Sequence, residues 1–341
     1  MQTGAPRTAI VITTINAPTK AVIDFAEGAR PRGVDVVLIG DEKSPKDFAQ
    51  DGARYFSLQA QRDSGFTYGR IAPARHYARK NLGYLEAIRA GAEVVVDTDD
   101  DNIPLDSFWA PRTPNLVARR VDGASWVNVY AYYTDAPIWP RGLPLDRINA
   151  ELPAFEALPA AEVDCPIQQG LANANPDVDA IYRLVLPLPQ DFRGDRRVAL
   201  APGAWCPFNS QNTTWWPDAY PLLYLPAYCS FRMTDIWRSF VAQRVAAANG
   251  WHVLFHEPTV WQDRNEHDLM RDFADEMPGY LNNERIRRTL EDLPIVPGVA
   301  SIPANLRMAY KALVSLGVIG EGELALLEAW LDDLAAIGPI S

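Results

Sequence analysis

The chain has 341 residues, 48% of them hydrophobic and 22% charged, with a formal net charge of −11. That is ordinary globular composition, long enough for two domains or one elaborated α/β domain. The acidic balance, with no block of Lys or Arg, excludes a nucleic-acid footprint, although a local basic pocket for a diphosphate stays open.

No stretch has the length and apolarity of a bilayer span. Met1 to Ala9 lacks the basic-then-apolar pattern of a signal peptide. Cys165, Cys206 and Cys229 are widely spaced and read as reduced buried thiols, not as a disulfide frame or zinc site. The default expectation is therefore a cytoplasmic enzyme with no transmembrane segment; peripheral attachment to a membrane stays compatible with it.

In chain order, Ala9 to Thr14 reads as a buried first strand, followed by a turn and a helix from Thr19 to Ala29 that Pro18 opens. Val34 to Ile39 is a second strand ending at Gly40-Asp41, and Ala53 to Leu58 a weaker third. The pattern then predicts a long helix over Pro73 to Ala90, stopped by Gly91. Glu93 to Val96 leads into Asp97-Thr98-Asp99-Asp100-Asp101, which packs four carboxylates into five positions. Strands alternating with helices imply a doubly wound parallel sheet, and ligands in such sheets sit outside the carboxyl ends of the strands. The polar residues Thr13, Thr14 and Asn16, then Asp41, then the Asp run all fall at that edge.

Four anions this close repel one another, so a divalent cation, Mg²⁺ or Mn²⁺, is the expected neutraliser. An EF-hand is excluded, because its sixth and twelfth places hold Asn102 and Phe108 instead of Gly and Glu. A phosphatase-type aspartate pair, a solvated acidic turn and the D-x-D element of nucleotide-sugar glycosyltransferases, here Asp99-Asp100-Asp101, remain as readings.

Beyond Pro104 the chain is irregular. Ser125 to Tyr130 and Val198 to Ala201 read as strands, while the Pro-, Asn- and Asp-rich segment 134–190 reads as long loops. Residues 207–214 read as a polar turn. Met233 to Asn249 is an amphipathic helix, Trp251 to Phe255 a short strand ending at His256, and the pattern from Asp268 onward is helical. Thr234 and Asp235 stand where a helix starts, so capping and the helix dipole account for them as readily as chemistry does.

Four ordered blocks resemble a known family. Thr13-Thr14-Ile15-Asn16-Ala17-Pro18-Thr19, Gly40-Asp41-Glu42-Lys43-Ser44-Pro45-Lys46-Asp47, Arg79-Lys80-Asn81-Leu82-Gly83-Tyr84-Leu85 and Asp97-Thr98-Asp99-Asp100 are similar to the DUF288 domain of STELLO-like glycosyltransferases. A fainter similarity to the reversibly glycosylated polypeptides, which act as UDP-arabinopyranose mutases, rests on Asp99-Asp100-Asp101, Arg141-Gly142-Leu143-Pro144, Gln169-Gly170-Leu171 and Pro176-Asp177-Val178-Asp179. This second pattern departs at Leu143, where an aromatic residue is usual.

The resemblances imply an α/β chain of GT-A type, a Rossmann-like nucleotide-diphospho-sugar transferase fold with a mostly parallel central sheet. It would occupy residues 1–265 (a nucleotide-binding half, 1–103, and an acceptor half, 104–265), with a helical extension at 266–341 that has no counterpart in those patterns. They imply a metal-dependent glycosyltransferase that takes a nucleotide sugar, a UDP-sugar by preference, to a carbohydrate or glycoconjugate acceptor. In that reading Asp101 and Asp99 hold Mn²⁺ or Mg²⁺, with Asp99 also near the ribose, and His256 or His267 supplies a further ligand. Thr13, Thr14, Asn16 and Asp41 cradle the nucleotide, Arg79 and Lys80 meet the diphosphate, and Asp235 is the general base. The alternatives are a mutase that glycosylates itself at Arg141 and a non-catalytic scaffold.

Overall fold

The apolar runs that open the chain become four parallel strands: β1 (Thr8–Thr13), β2 (Asp35–Ile39), β3 (Arg54–Phe56) and β4 (Val94–Thr98), lying in the order β3-β2-β1-β4. The computed structural model describes residues 6–123, 125–263 and 268–338. Helices cover both faces, which is why these strands read as continuous hydrophobic runs without alternation. Helix α1 (Lys20–Ala29) starts at Thr19, whose hydroxyl accepts from the Val22 amide. Two short helices, α2 (Leu58–Arg62) and α3 (Thr67–Ile71), precede α4 (Lys80–Arg89).

The long helix expected over Pro73 to Ala90 is therefore confined to α4. Ala72 takes an extended conformation ahead of Pro73, as the proline ring demands, and Arg75 adopts a left-handed φ of 57° that no helix tolerates. A 3₁₀ turn, Tyr77–Arg79, then leads into α4.

Helix α4 is buried along almost its whole length, and Gly83 lets it approach the sheet. A Cβ at Gly83 would lie 2.5 Å from Val11 Cγ1 and 2.8 Å from Ile39 Cγ1. Gly83→Ala is accordingly expected to lower stability by about 1–3 kcal/mol in urea unfolding, despite alanine's better helix propensity.

The second half adds β5 (Asn102–Pro104), β6 (Asn115–Val121), β7 (Ser125–Trp126), β8 (Ala160–Asp164), β9 (Ile167–Asn173), α5 (Ala180–Val185), β10 (Arg197–Leu200), β11 (Ala204–Trp205), β12 (Asn212–Trp215), α6 (Thr234–Ala248) and β13 (Val253–Gln262). The large sheet continues from β4 as β12-β9-β13-β10-β6-β8. In it β12 runs antiparallel to both β4 and β9, β13 runs parallel to β9, and β5 pairs the far end of β13. β7 and β11 form a separate two-stranded sheet.

The α/β class with a large central sheet and C-terminal helices matches the expectation. Further local readings change, among them the strand expected over Ser125 to Tyr130, which is confined to β7. Segment 134–190 holds β8, β9 and α5 where loops were expected, and β9 lies at the centre of the sheet. The polar turn expected at 207–214 contains the start of β12. The strand expected to end at His256 runs on to Gln262, past irregularities in its register around Pro258.

The last helices, α7 (Leu269–Glu291), α8 (Ile302–Ser315) and α9 (Glu323–Ile337), share the main hydrophobic core through Ile286, Leu290, Leu306, Tyr310 and Trp330. Asp333 accepts from the Thr67 and Tyr68 amides at the start of α3. Glu323 does the same for Ala227 and Tyr228. No helix among the described residues is long and apolar enough to cross a membrane.

Candidate active site

A cavity of about 820 Å³ opens at the carboxyl edge of the parallel strands. Thr13, Thr14 and Asn16 line it from the end of β1, Asp41 from the end of β2, and Asp99, Asp100 and Asp101 from the end of β4. This is where a doubly wound sheet places its ligand. Arg79, Arg141, Asp177 and Asp235 also reach it. Of the residues expected at the site, Lys80 and His256 are not part of its wall.

The four crowded carboxylates find different partners. Asp97 is fully buried between two cations of the protein itself, Lys80 Nζ at 2.7 Å and Arg238 Nη1 at 2.9 Å. The repulsion in this run is thus relieved in part without a metal. Asp100 accepts from the Thr14 hydroxyl at 2.6 Å and the Asn16 amide at 3.1 Å, and its backbone carbonyl accepts from the Thr19 hydroxyl. Thr14 and Asn16, expected to cradle a nucleotide, therefore brace the acidic loop. Asp101 accepts from Gln262 Nε2, 3.2 Å from both carboxylate oxygens. Asp99, its side chain 35% exposed, receives Lys80 Nζ at 3.0 Å. Partial desolvation at the cavity wall pushes its pKa up against the pull of Lys80, with Asp101 and Asp97 adding to the rise.

Lys80 is not free to meet a diphosphate. Its ammonium is buried and also donates to the Thr98 carbonyl at 2.6 Å. Burial opposes its charge, but Asp97 and Asp99 outweigh that and raise its pKa. Arg79 is likewise committed: its guanidinium donates to Gln61 Oε1 at 2.6 Å and the Ala72 carbonyl at 2.7 Å, fixing the turn before α4.

Asp41 accepts from the His76 amide at 3.0 Å and ties the end of β2 to the wall opposite. The His76 ring stacks on Tyr77 at 5.8 Å between centroids, and Phe231 meets both edge-on at 5.4 and 5.0 Å. Burial lowers the His76 pKa to about 4 despite the opposing charge of Asp41. This aromatic wall was not foreseen, because Phe231 reaches the adjacent pair His76 and Tyr77 from a distant part of the chain.

The expected general base is also re-placed. Asp235 is bound by Arg141 through two contacts, Nη1 to Oδ1 at 3.0 Å and Nη2 to Oδ2 at 2.8 Å. Arg141 makes a second bidentate pair with Asp177, at 2.8 Å on each arm. Burial disfavours the Asp235 anion, but Arg141 prevails and holds its pKa at about 2. A carboxylate so committed is a poor proton acceptor for a sugar hydroxyl.

His256 is buried with Nδ1 3.0 Å from the Glu257 carbonyl, and burial, reinforced by Arg112, drives its pKa well below the usual range. It lies six residues up β13 from Gln262, roughly 20 Å at about 3.3 Å per residue, so it is not a ligand beside Asp101. His267 lies outside the described residues. Among the described residues no three His, Cys, Asp or Glu side chains converge to hold a metal. Asp99 and Asp101 remain, and Mg²⁺ is typically bound through one or two carboxylates plus substrate phosphates. The exposed cations on the wall are Lys43, Arg75 and Arg271.

Residues 232–340 match the family model described as STELLO glycosyltransferases. Over 360 residues the chain is 30% identical to "Probable glycosyltransferase STELLO1" of Arabidopsis thaliana, covering 96% of this chain and 44% of that protein. Over 359 residues it is 29% identical to "Probable glycosyltransferase STELLO2" of the same plant, covering 96% and 45%. The chain spans less than half the length of these curated relatives. Among solved structures, "Crystal Structure of a Mycobacterial Protein" aligns with a TM-score of 0.42 and 10% identity over 82% of this chain and 74% of that one, too distant to carry an argument. The expected kinship with the STELLO glycosyltransferases thus holds across nearly the whole chain. It includes the C-terminal helices, for which the sequence patterns offered no counterpart.

Proposed function

We propose that this chain is a metal-dependent glycosyltransferase domain that takes a nucleotide-sugar donor, a UDP-sugar by preference, and passes the sugar to a carbohydrate or glycoconjugate acceptor. One observation carries the reading. Of the four crowded carboxylates, Asp97 is buried and neutralised by Lys80 and Arg238, and Asp100 is tied to Thr14 and Asn16. Asp99, held by Lys80, and Asp101, held by Gln262, face an 820 Å³ cavity at the ligand-binding edge of the sheet together with Asp100.

Asp99 and Asp101 would hold Mg²⁺ or Mn²⁺, which supplies charge neutralisation for a departing nucleoside diphosphate. Lys80 sets the Asp99 carboxylate in place, and the Thr14–Asp100–Asn16 bonds fix the loop between the two ligands. Lys43 adds positive charge at the wall, where phosphate oxygens are attracted, while Arg75 is paired with Glu42 and Arg271 lies beside Asp275. His76, Tyr77 and Phe231 offer an apolar surface for a base or a sugar ring. The self-glycosylating mutase reading loses ground, because Arg141 has both arms of its guanidinium bound to carboxylates.

A panel of labelled nucleotide sugars, UDP-sugars first, tests this directly. Expected is release of UDP from at least one donor, abolished by EDTA and restored by Mn²⁺. No turnover of any donor, with or without metal, would favour a non-catalytic scaffold.

A further inference from the structure

We propose that Gln262 completes the cation site, its amide oxygen serving as a third protein ligand beside Asp99 and Asp101. The inference rests on the cation reading above. β13 pairs β5 immediately after the acidic loop, with Gln262 opposite Asn102. That register fixes Gln262 beside Asp101. Trp261 is exposed on one side of the strand, and alternation turns Gln262 to the other, into the cavity.

Gln262 is only 6% exposed, and its Oε1 has no hydrogen-bond partner among the described residues. A buried amide oxygen left unpaired costs about 1–3 kcal/mol. Its Nε2 lies 3.2 Å from both Asp101 oxygens. The last torsion of a glutamine is broad and roughly two-fold, so a turn exchanges the nitrogen and the oxygen. Oε1 then faces Asp101 at similar spacing, which is repulsive unless a cation lies between. Oxygens on adjacent vertices around Mg²⁺, at bond lengths of about 2.1 Å, are roughly 3.0 Å apart, close to that spacing. An all-oxygen set selects hard ions over those that prefer imidazole, and His256 is too far away to contribute.

Mn²⁺ binding with UDP present, followed by the EPR signal of the free ion, tests the assignment in the wild type, Gln262→Met, Gln262→Glu and Asp101→Asn. Gln262→Met, folded by circular dichroism, is expected to weaken Mn²⁺ about tenfold or more. Gln262→Glu should melt lower than wild type without metal, since it sets a second anion against Asp101, and should recover on adding Mn²⁺ with affinity at least that of the wild type. Wild-type Mn²⁺ affinity in Gln262→Met would overturn the ligand role alone. Loss of Mn²⁺ by Gln262→Glu would do the same, whether or not Gln262→Met folds. Absence of Mn²⁺ binding in the wild type overturns the cation reading itself and this assignment with it.

Discussion

Asp101→Asn removes the rise in melting temperature that Mn²⁺ with UDP gives the wild-type chain. A ligand at a hundred times its Kd stabilises a protein by about 2.7 kcal/mol, and that gain vanishes when the carboxylate holding the cation becomes an amide. The substitution is nearly isosteric, and because Asp101 also accepts from Gln262 the quantity compared is the shift each protein gains on adding Mn²⁺ and UDP, taken from its own metal-free melting temperature. Transfer should fall on the order of a hundredfold or more, the scale of losing one electrostatic partner of a leaving group. Asp100→Asn is the informative contrast. Asp100 is tied to Thr14 and Asn16, so its amide variant should lose some metal-free stability while keeping most of the shift with Mn²⁺ and UDP. Equal shifts in Asp101→Asn and the wild type would remove Asp101 from the cation site.

Arg141→Met destabilises the fold by about 3–5 kcal/mol in denaturant unfolding near neutral pH. Arg141 neutralises two buried carboxylates at once, Asp177 and Asp235, and removing it leaves both uncompensated. A surface arginine exposed for self-glycosylation would cost little on replacement, so a loss below about 0.5 kcal/mol would reopen the mutase reading. The pH dependence carries the same sign. Asp235 has a folded pKa depressed to about 2, below its ordinary range, so its contribution is fully present above about pH 4 and is lost as pH falls through 2. In Arg141→Met the burial that opposes the anion is no longer offset, the folded pKa rises, and acid relieves the variant. The gap between variant and wild type should therefore narrow as pH falls from 7 towards 4.

The first four strands, α1 and the acidic loop were legible because each is set by local pattern: apolar runs bounded by turn residues, a Thr cap, carboxylates after a buried strand. β9 was hidden because Gln168, Gln169 and Gly170 interrupt its apolar character. The two Gln side chains satisfy neighbouring backbone carbonyls, a reason that exists only once the sheet has formed. The start of α4 was misplaced because Pro73 suits a first helical turn, whereas the left-handed φ of 57° at Arg75, which ends any helix there, leaves no local mark in the sequence. The site divides in the same way. Thr13, Thr14, Asn16, Asp41, Asp99 and Asp101 follow from strand ends, which sequence reveals. The partners of Asp97, Asp235 and Asp101, namely Arg238, Arg141 and Gln262, lie 141, 94 and 161 residues away from them. Nothing local announces such pairings, so Asp235 read as a free base and His256 as a ligand. Gln262 was missed because β13 continues past Pro258, where a proline in a strand pattern argues for an end.

Calorimetric titration of Mn²⁺ into the chain with saturating UDP, beside Asp99→Asn and Asp101→Asn, tests the cation claim most directly. The account predicts one ion bound per chain in the wild type and none in either variant. A wild-type titration with no binding of Mn²⁺ or Mg²⁺, UDP being present, would contradict it.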